Sequence, residues 1–493
     1  MKYGLLLTGI TLATLILETL ARRGKISDFI GRKATHISAA IACGAALLWI
    51  DTAVLVPTGL GATALLWFLV RGKWLKINDA LPRQSWGIVF FGLAFTCIAF
   101  AWPYILPSQG IFALAVVGLA DPAAAVMGRW KPFEVFRFSP DRKTFGGWIS
   151  FAVMVFLAAA VTDAVSPSPL FFPLDVHSFL FLFYAGIALA NVEVLCENGS
   201  DNLVLIVYSL GLGAAFLLPS NDAFHWAITF GLSAGVALAS KQFKLLSFSG
   251  ALAVYPLAFL IFGLGGWKWT APIAVFFILS SLWSKARSKW GEKDELIAEK
   301  SGVRDHFQVW ANGGIPALIA IASFVFGEES AGYTFYLVAI GASAADTWST
   351  EIGGLFGGRP RHIFTFKHIE KGRSGGVTWV GLIGGFAGAG SVALAGWLMD
   401  SAIGERMTLL IWGVAFAGTL IDSALGAKFQ GLYETAAHTL TESKWSISSS
   451  ESEEVPHLQN KKIAGFDWLN NDRVNLVSVI FVVLAWTLVF SQL

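Results

Sequence analysis

The chain holds two stretches in which an apolar run ends in an acid and a basic, glycine-rich segment follows. In the second half, Gly341-Ala-Ser-Ala-Ala-Asp346-Thr-Trp-Ser-Thr-Glu351-Ile-Gly-Gly354 leads into Arg359-Pro-Arg361 and Lys367-His-Ile-Glu-Lys371-Gly372-Arg373-Ser374-Gly375-Gly376. In the first half, Gly118-Leu-Ala-Asp121-Pro122 leads through Gly128-Arg129 to Arg142-Lys143-Thr144-Phe-Gly146-Gly147. An aspartate deep in a bilayer costs about 2.5–3.5 kcal/mol on insertion scales, so an acid in such a run asks for a reason. Carboxylates ahead of a basic loop suit a divalent cation held against phosphate. Mg2+ takes one or two carboxylates and completes its shell with water and phosphate oxygens. Glycine amides and Lys or Arg take the remaining anionic oxygens. The spacing from acid to Gly-Gly is similar in the two halves, which predicts two related phosphate-handling sites on one chain.

Other polar residues extend each set. Arg32-Lys33-x-x-His36 puts a basic pair and an imidazole on neighbouring helical faces, which suits a polyanion. Anchoring at the cytoplasmic membrane face explains the same pair on composition alone. Asp121-Pro122 predicts a span that ends or kinks, because proline removes a backbone donor and disfavours helix at the preceding residue. Lys143-Thr144-x-Gly146-Gly147 precedes another apolar run but is not a Walker A sequence. Glu193, Glu197, Asp201 and Asn202 surround the end of the seventh run. Glu193 and Glu197, at i and i+4, repel unless a cation or proton is shared. A solvated loop accounts for Glu197 and Asp201 but less readily for Glu193. The second half adds Arg304, Gln308, Asn312, Ser343, Asp422, Gly426, Gln430, Asn471 and Asn475, each of which taken alone also reads as a cap or a buried hydrogen-bonded group. The histidines, His36, His306, His362 and His368 among them, lack zinc-site spacing, and no zinc is expected.

These residues need a membrane scaffold to position them. The 493 residues are 55% hydrophobic and only 14% charged, with mean hydropathy +0.64. Soluble domains carry about 25% charged residues, so the composition predicts an all-α polytopic membrane protein. The forty Phe and twenty Trp suit lipid-facing and interfacial positions. A net charge of +2 without a basic stripe argues against nucleic acid. Cys43, Cys97 and Cys196 lie far apart and read as packing residues. Apolar runs near the ~20 residues that span a bilayer recur about sixteen times, from 3–20, read as a first span rather than a removable signal, to 474–491. They divide near 220 into two halves of about eight, residues 1–220 and 221–493, with a polar low-complexity loop near 441–462 expected to be mobile. Lys and Arg gather in alternate loops, after the first, third and fifth runs and onward. The positive-inside rule therefore puts every polar motif in the cytoplasm and both termini outside, as in a bacterial inner-membrane protein.

On these motifs the chain resembles two families. Residues 22–219 resemble the polyprenol and phytol kinases, relatives of dolichol kinase and of the CDP-diacylglycerol-forming cytidylyltransferases. The likeness rests on Arg32-Lys33-x-x-His36, Asp121-Pro122 with Ala125 and Gly128-Arg129, Lys143-Thr144 with Gly147, and Asp201-Asn202. That family commonly has Gly-Ser where this chain has Gly147-Trp148. Residues from about 245 to 490 look like the family containing phytyl-phosphate kinase. The matches are Gln308-Val-x-Ala-Asn312-Gly-Gly, Asp346-Thr-Trp-Ser-Thr-Glu351-Ile-Gly, Gly372-Arg-Ser-Gly-Gly-Val, Asp422-Ser-x-Leu-Gly426-Ala-x-x-Gln430 and Asn471-Asp-x-Val-Asn475. The resemblance implies two consecutive phosphorylations of a long-chain isoprenoid alcohol, phytol to phytyl phosphate and on to phytyl diphosphate. CTP is the favoured donor and Mg2+ the cofactor, and the product would feed tocopherol, phylloquinone or chlorophyll synthesis and chlorophyll salvage.

The expected roles follow. Asp121 with Glu197 or Asp201 holds Mg2+ in the first site, where Arg32, Lys33, Lys143, Thr144 and the Gly146 and Gly147 amides take the nucleotide phosphates. Asp346, Glu351 and Asp422 hold Mg2+ in the second, with phosphate on Lys371, Gly372, Arg373, Ser374 and Gly375. Asp121, Asp346 and Glu351 are the catalytic candidates. His36, Asn202, Gln308, Asn312, Gln430, Asn471 and Asn475 complete the polar surroundings. The competing readings are transfer of a cytidylyl group to a lipid phosphate and a two-repeat membrane transporter.

Overall fold

The computed structural model describes residues 27–72, 74, 85–131, 133–138, 141–290, 303–436, 438–446 and 458–492, with positions 16, 19, 20 and 23 before them. The run at 3–20 is therefore almost wholly outside the described residues, as are positions 447–457 of the loop expected to be mobile.

The protein is all-α and polytopic. Among the described residues, eleven helical stretches are long and apolar enough to cross a membrane. Helices α1 (Asp28–Trp49), α2 (Thr52–Arg71) and α3 (Gly87–Ala101) come first, then α4 (Pro107–Ala115) and α5 (Asp121–Trp130). Next are α6 (Phe145–Val165), α7 (Val176–Leu195), α8 (Asp201–Phe216), α9 (Ala223–Gln242) and α10 (Phe248–Trp290). The series ends with α11 (His306–Phe326), α12 (Glu329–Phe356), α13 (Trp379–Met399), α14 (Glu405–Phe429) and α15 (Asn471–Phe490). The 43-residue α10 is two helices that meet at Gly266, whose φ of +52° only glycine adopts at little cost.

The starts are written in the sequence. Ser27, Asp51, Thr144, Asp175, Thr378 and Asn470 each accept a backbone N–H of the first turn, and each such cap contributes about 1 kcal/mol. Around the expected mobile loop, short strands form instead. Strand β3 (Leu432–Glu434) pairs with β4 (Leu440–Thr441) and β7 (Lys461–Ala464), and β5 (Trp445–Ser446) pairs with β6 (Leu458–Gln459). Earlier, β1 (Arg361–His362) pairs with β2 (Gly376–Val377), closing the basic glycine-rich segment into a hairpin.

The chain forms two compact units: Met1–Ala237 with Leu252–Leu264 and Ile321–Glu328, and Leu238–Ala251 with Gly265–Ala320 and Glu329–Leu493. In the first, Phe171, Phe181, Phe216 and Trp226 stack into a buried aromatic core. In the second, Trp269 packs on Tyr333 and Tyr336, and the Tyr336 hydroxyl donates to the Trp269 carbonyl at 2.7 Å. Small residues bring the helices that carry the acids close together. A Cβ on Gly381, Gly385 or Gly388 of α13 would stand 2.7–2.9 Å from the carbonyls of Ser349, Ala345 and Ala344 on α12. Dispersion between backbones at this range is what drives helix association where there is no water to exclude.

Candidate functional site

In the first unit the helix carrying Asp121 neither ends nor breaks at Pro122. Residues Val116–Ala120 form one π turn between α4 and α5, and the helix runs on to Trp130. Proline withholds its N–H and crowds the carbonyl four residues back, and the wider turn just before it relieves both. Asp121 is thereby held, buried, on an unbroken helix.

Three elements converge there. Lys33 on α1 donates to Asp121 Oδ2 at 2.8 Å, and His36 Nδ1 lies 3.4 Å from the same oxygen. Lys143, from the loop before α6, pairs with Glu193 near the end of α7 and lies 3.5 Å from Asp201 Oδ2 at the start of α8. One carboxylate oxygen each of Asp121, Glu193 and Asp201 falls within 4.8 Å of the others, and among the described residues this is the one such group of three. Oxygens on a Mg2+ bound at 2.0–2.1 Å are at most about 4.2 Å apart, so modest movement of these carboxylates would suit the ion. Burial alone would make Lys143 easier to deprotonate, but Glu193, Asp201 and Asp121 outweigh it and hold the ammonium above its ordinary range. Lys143 thus serves as the resident cation of the acid group.

Several expected residues take other parts. Glu197 is outside the three-acid group, and its carbonyl accepts from Ser200. Glu193 takes the place given to it. The signal was its depth in the apolar run, where solvation cannot explain a carboxylate. The Gly147 amide donates to Thr144 Oγ1 at 3.2 Å and so caps α6. A Cβ on Gly146 would stand 2.0 Å from the Lys131 carbonyl, and one on Gly147 2.9 Å from that of Ala124. Both glycines therefore let α6 close on α5. Gly146→Ala is expected to destabilise the protein by about 1–3 kcal/mol, seen as a lower Tm in detergent; an unchanged Tm would mean that the helices do not approach so closely. Asn202 Nδ2 donates to the Gly87 carbonyl at 2.8 Å, tying α8 to α3. The side chain of Arg32 lies outside the described residues.

The second unit repeats this pattern. A Cβ on Gly128, seven residues past Asp121, would meet Thr144 Oγ1 at 2.8 Å; one on Gly353, seven past Asp346, would meet Thr378 Oγ1 at 3.0 Å. Thr378 caps α13 through the Gly381 amide at 3.0 Å, as Thr144 caps α6 through Gly147. A Cβ on Gly381 would meet the carbonyl of Ser349, three past Asp346; one on Gly147 would meet that of Ala124, three past Asp121. The counterpart of Thr144-x-x-Gly147 is therefore Thr378-x-x-Gly381, and not the segment Gly372 to Gly375.

Asp346 of α12 and Asp422 of α14 lie close enough to act on one another's charge, and Ser478 of α15, whose hydroxyl donates to the Asn475 carbonyl at 2.9 Å, stands near Asp422. With its amide turned to donate, Asn475 reaches both Asp422 Oδ2 and the Asn471 carbonyl at 3.1 Å. Two carboxyls in such contact need a proton or a cation between them. Glu351 stands apart: its carboxylate accepts from Ser284 at 2.6 Å and lies 3.6 Å from Arg287 Nη1. The five-residue step from Asp346 turns it away, since only i+3 and i+4 share a helical face. Asn312 Nδ2 donates to the Gln308 carbonyl at 3.0 Å, and both stay at the start of α11.

The glycine-rich loop already holds an acid. Buried Glu442 accepts from the Ser374 amide through Oε1 and from Gln430 Nε2 through Oε2, both at 2.7 Å. Gly372 and Gly375, at φ of +79° and +80°, make the turns that aim this amide. Lys371 and Arg373 flank it on the same loop. Glu442 carried no motif, so sequence reasoning passed over it.

Apolar helices enclosing an acid, glycine and threonine arrangement that occurs in both units define an integral membrane protein. The chain belongs to the DUF92 family of integral membrane proteins, whose model matches residues 231–483, just over half of it. Protein PGR of Arabidopsis thaliana is 30% identical over 288 residues, covering 53% of this chain and 95% of that protein. An uncharacterized membrane protein of Methanocaldococcus jannaschii is 34% identical over 165 residues, 33% of this chain and 67% of its own. One from Synechocystis sp. is 27% identical over 169 residues, 34% of this chain and 64% of its own. No solved structure matches.

Proposed function

We propose that the chain is a bifunctional isoprenoid alcohol kinase, the first unit phosphorylating phytol and the second converting phytyl phosphate to phytyl diphosphate, with CTP as donor. The observation that carries this reading is the repeat itself. Each unit presents an acid on one helix, a second acid on another helix in reach of it, and a threonine-capped helix packed against the first acid's helix. The lysine- and arginine-rich loops are taken as cytoplasmic, so that both sites face the compartment holding nucleotides and both termini lie outside.

In the first transfer the alcohol oxygen attacks the γ-phosphorus, the bond to the bridging β-oxygen breaks, CDP leaves, and a carboxylate of the group takes the hydroxyl proton. Asp121, Glu193 and Asp201 would hold Mg2+, which supplies charge neutralisation at the phosphates. Lys143, displaced from the acids, and Lys33 then face phosphate oxygens. In the second transfer the attacking group is a phosphate oxygen, already anionic, so Asp346 and Asp422 act by holding charge rather than as a strong base. The C20 chain lies between apolar helices, entering from the bilayer.

The test is product identity. Purified protein with phytol, Mg2+ and CTP labelled at the γ-phosphate is expected to yield labelled mono- and diphosphate lipids on chromatography. Label entering lipid from α-labelled CTP alone would replace this reading by cytidylyl transfer. No transfer to any isoprenoid alcohol or lipid phosphate would favour a transporter.

A further inference from the structure

The two acid groups differ in what neutralises them. In the first unit two lysines reach the carboxylates, Lys33 and Lys143. The residue before the capping threonine is Lys143 in the first unit and Val377 in the second. Among the described residues no lysine pairs with Asp346 or Asp422; the salt bridges of the second unit lie elsewhere. A site that takes an already charged acceptor and a nucleotide needs more positive charge than the first, so its cations must come from other elements.

Two arginines approach Glu351 of α12, Arg287 directly and Arg304 through Ser284. Arg287, in the last turn of α10, lies flat on Gly354, where a Cβ would stand 2.6 Å from Cζ. It donates to the Thr350 carbonyl at 3.4 Å and faces Glu351. Arg304 approaches from the segment before α11, its own carbonyl accepting from Ser247 at 2.9 Å, which fixes the backbone. Its Nη2 donates to Ser284 Oγ at 3.0 Å, and that hydroxyl donates to Glu351. Among the described residues no carboxylate lies within 4.0 Å of Arg304, although its guanidinium is part-buried. A guanidinium withdrawn from water with most of its five donors unspent is built for an anion. Five residues of helix separate Glu351 from Asp346, about 7.5 Å of rise, which keeps the two acids within one and a half turns of each other on α12.

We propose that Arg287 and Arg304 form a phosphate-binding pair that takes the anionic end of the second unit's substrate, with Glu351 as its counter-ion when no phosphate is bound. This rests on reading the second unit as a phosphate-handling site. The phosphate belongs either to a lipid monophosphate or to the nucleotide. No local sequence pattern marks the pair, which arises only because α10 and the segment before α11 meet at Ser284.

The test is equilibrium binding to the full-length protein in detergent, with phytyl monophosphate, CTP and inorganic pyrophosphate as probes and phytol as the neutral control. Arg304→Gln and Arg287→Gln are each expected to weaken at least one phosphorylated probe about tenfold or more, leaving phytol unchanged. Arg304→Lys recovers only part, because an ammonium lacks the two-pronged donor. Loss confined to phytyl monophosphate assigns the lipid headgroup, and loss confined to CTP the nucleotide. Equal binding of every phosphate by wild type and variants, or no binding by wild type, overturns the pair. Should Arg304→Gln fail to fold, Arg287→Gln, at a more open helix end, carries the test. Arginine-dependent binding without phosphoryl transfer would leave the pair standing and remove the kinase reading; turnover with an unchanged KM in both variants would do the reverse.

Discussion

Replacing Asp121 by asparagine is expected to lower phosphorylation of the free alcohol by about 10²–10³-fold, the loss usual when one preorganised charge is removed from a transfer site. Asparagine keeps the shape and removes the charge, so the acid group can no longer balance a divalent cation. The same change leaves Lys33 facing an amide, with its side chain only 12% exposed. Removing one partner of a buried ion pair costs about 3–5 kcal/mol, so the Tm falls as well. Lys33→Met combined with Asp121→Asn isolates the stability effect: Tm should recover in part, because no buried ammonium is left unpaired. Full activity in the double variant would make Asp121 a structural residue and end its catalytic assignment.

Asp346→Asn is expected to stop the pathway halfway. Phytyl monophosphate accumulates while diphosphate output falls by about 10²-fold or more. Because Asp346 and Asp422 face one another, the two single substitutions and the pair should lose nearly the same amount, as residues acting as one unit do. Chromatography of labelled lipid from the four proteins reads this directly. Undiminished diphosphate from Asp346→Asn would reduce the second unit to a scaffold.

The all-α polytopic fold was legible because bilayer length and low charge leave few alternatives. Asp121 and Asp346 stood out because carboxylates in apolar sequence are costly. Contacts between distant segments were not legible. Glu193 rather than Glu197 joins Asp121, and the choice depends on how α7 turns its last residues toward α5 and α8. Gly146 and Gly147 look like a phosphate cradle in one dimension, yet the Lys131 and Ala124 carbonyls occupy the space a side chain would need. The segment from Gly372 to Gly375 suggested the partner of Gly146-Gly147 by composition, whereas the geometry pairs Thr144 with Thr378. Glu442, Arg287 and Ser284 have no local pattern at all.

The π turn before Asp121 also sets how the two halves can be compared. Helix α12 passes through Asp346 as a regular α-helix, while the helix through Asp121 carries one wide turn. A π turn spends one residue more than an α turn, and each residue turns a helix by about 100°. From Asp121 onward the two helices match position for position, to Gly128 and Gly353; before residue 116 the match slips by one. The slip turns the upstream face of α4 by nearly a third of a revolution against that of α12, so equivalent positions there point at different neighbours. One extra residue in the turn before Asp121 is enough to keep the same spacing from acid to glycine in both helices while their upstream faces present different side chains.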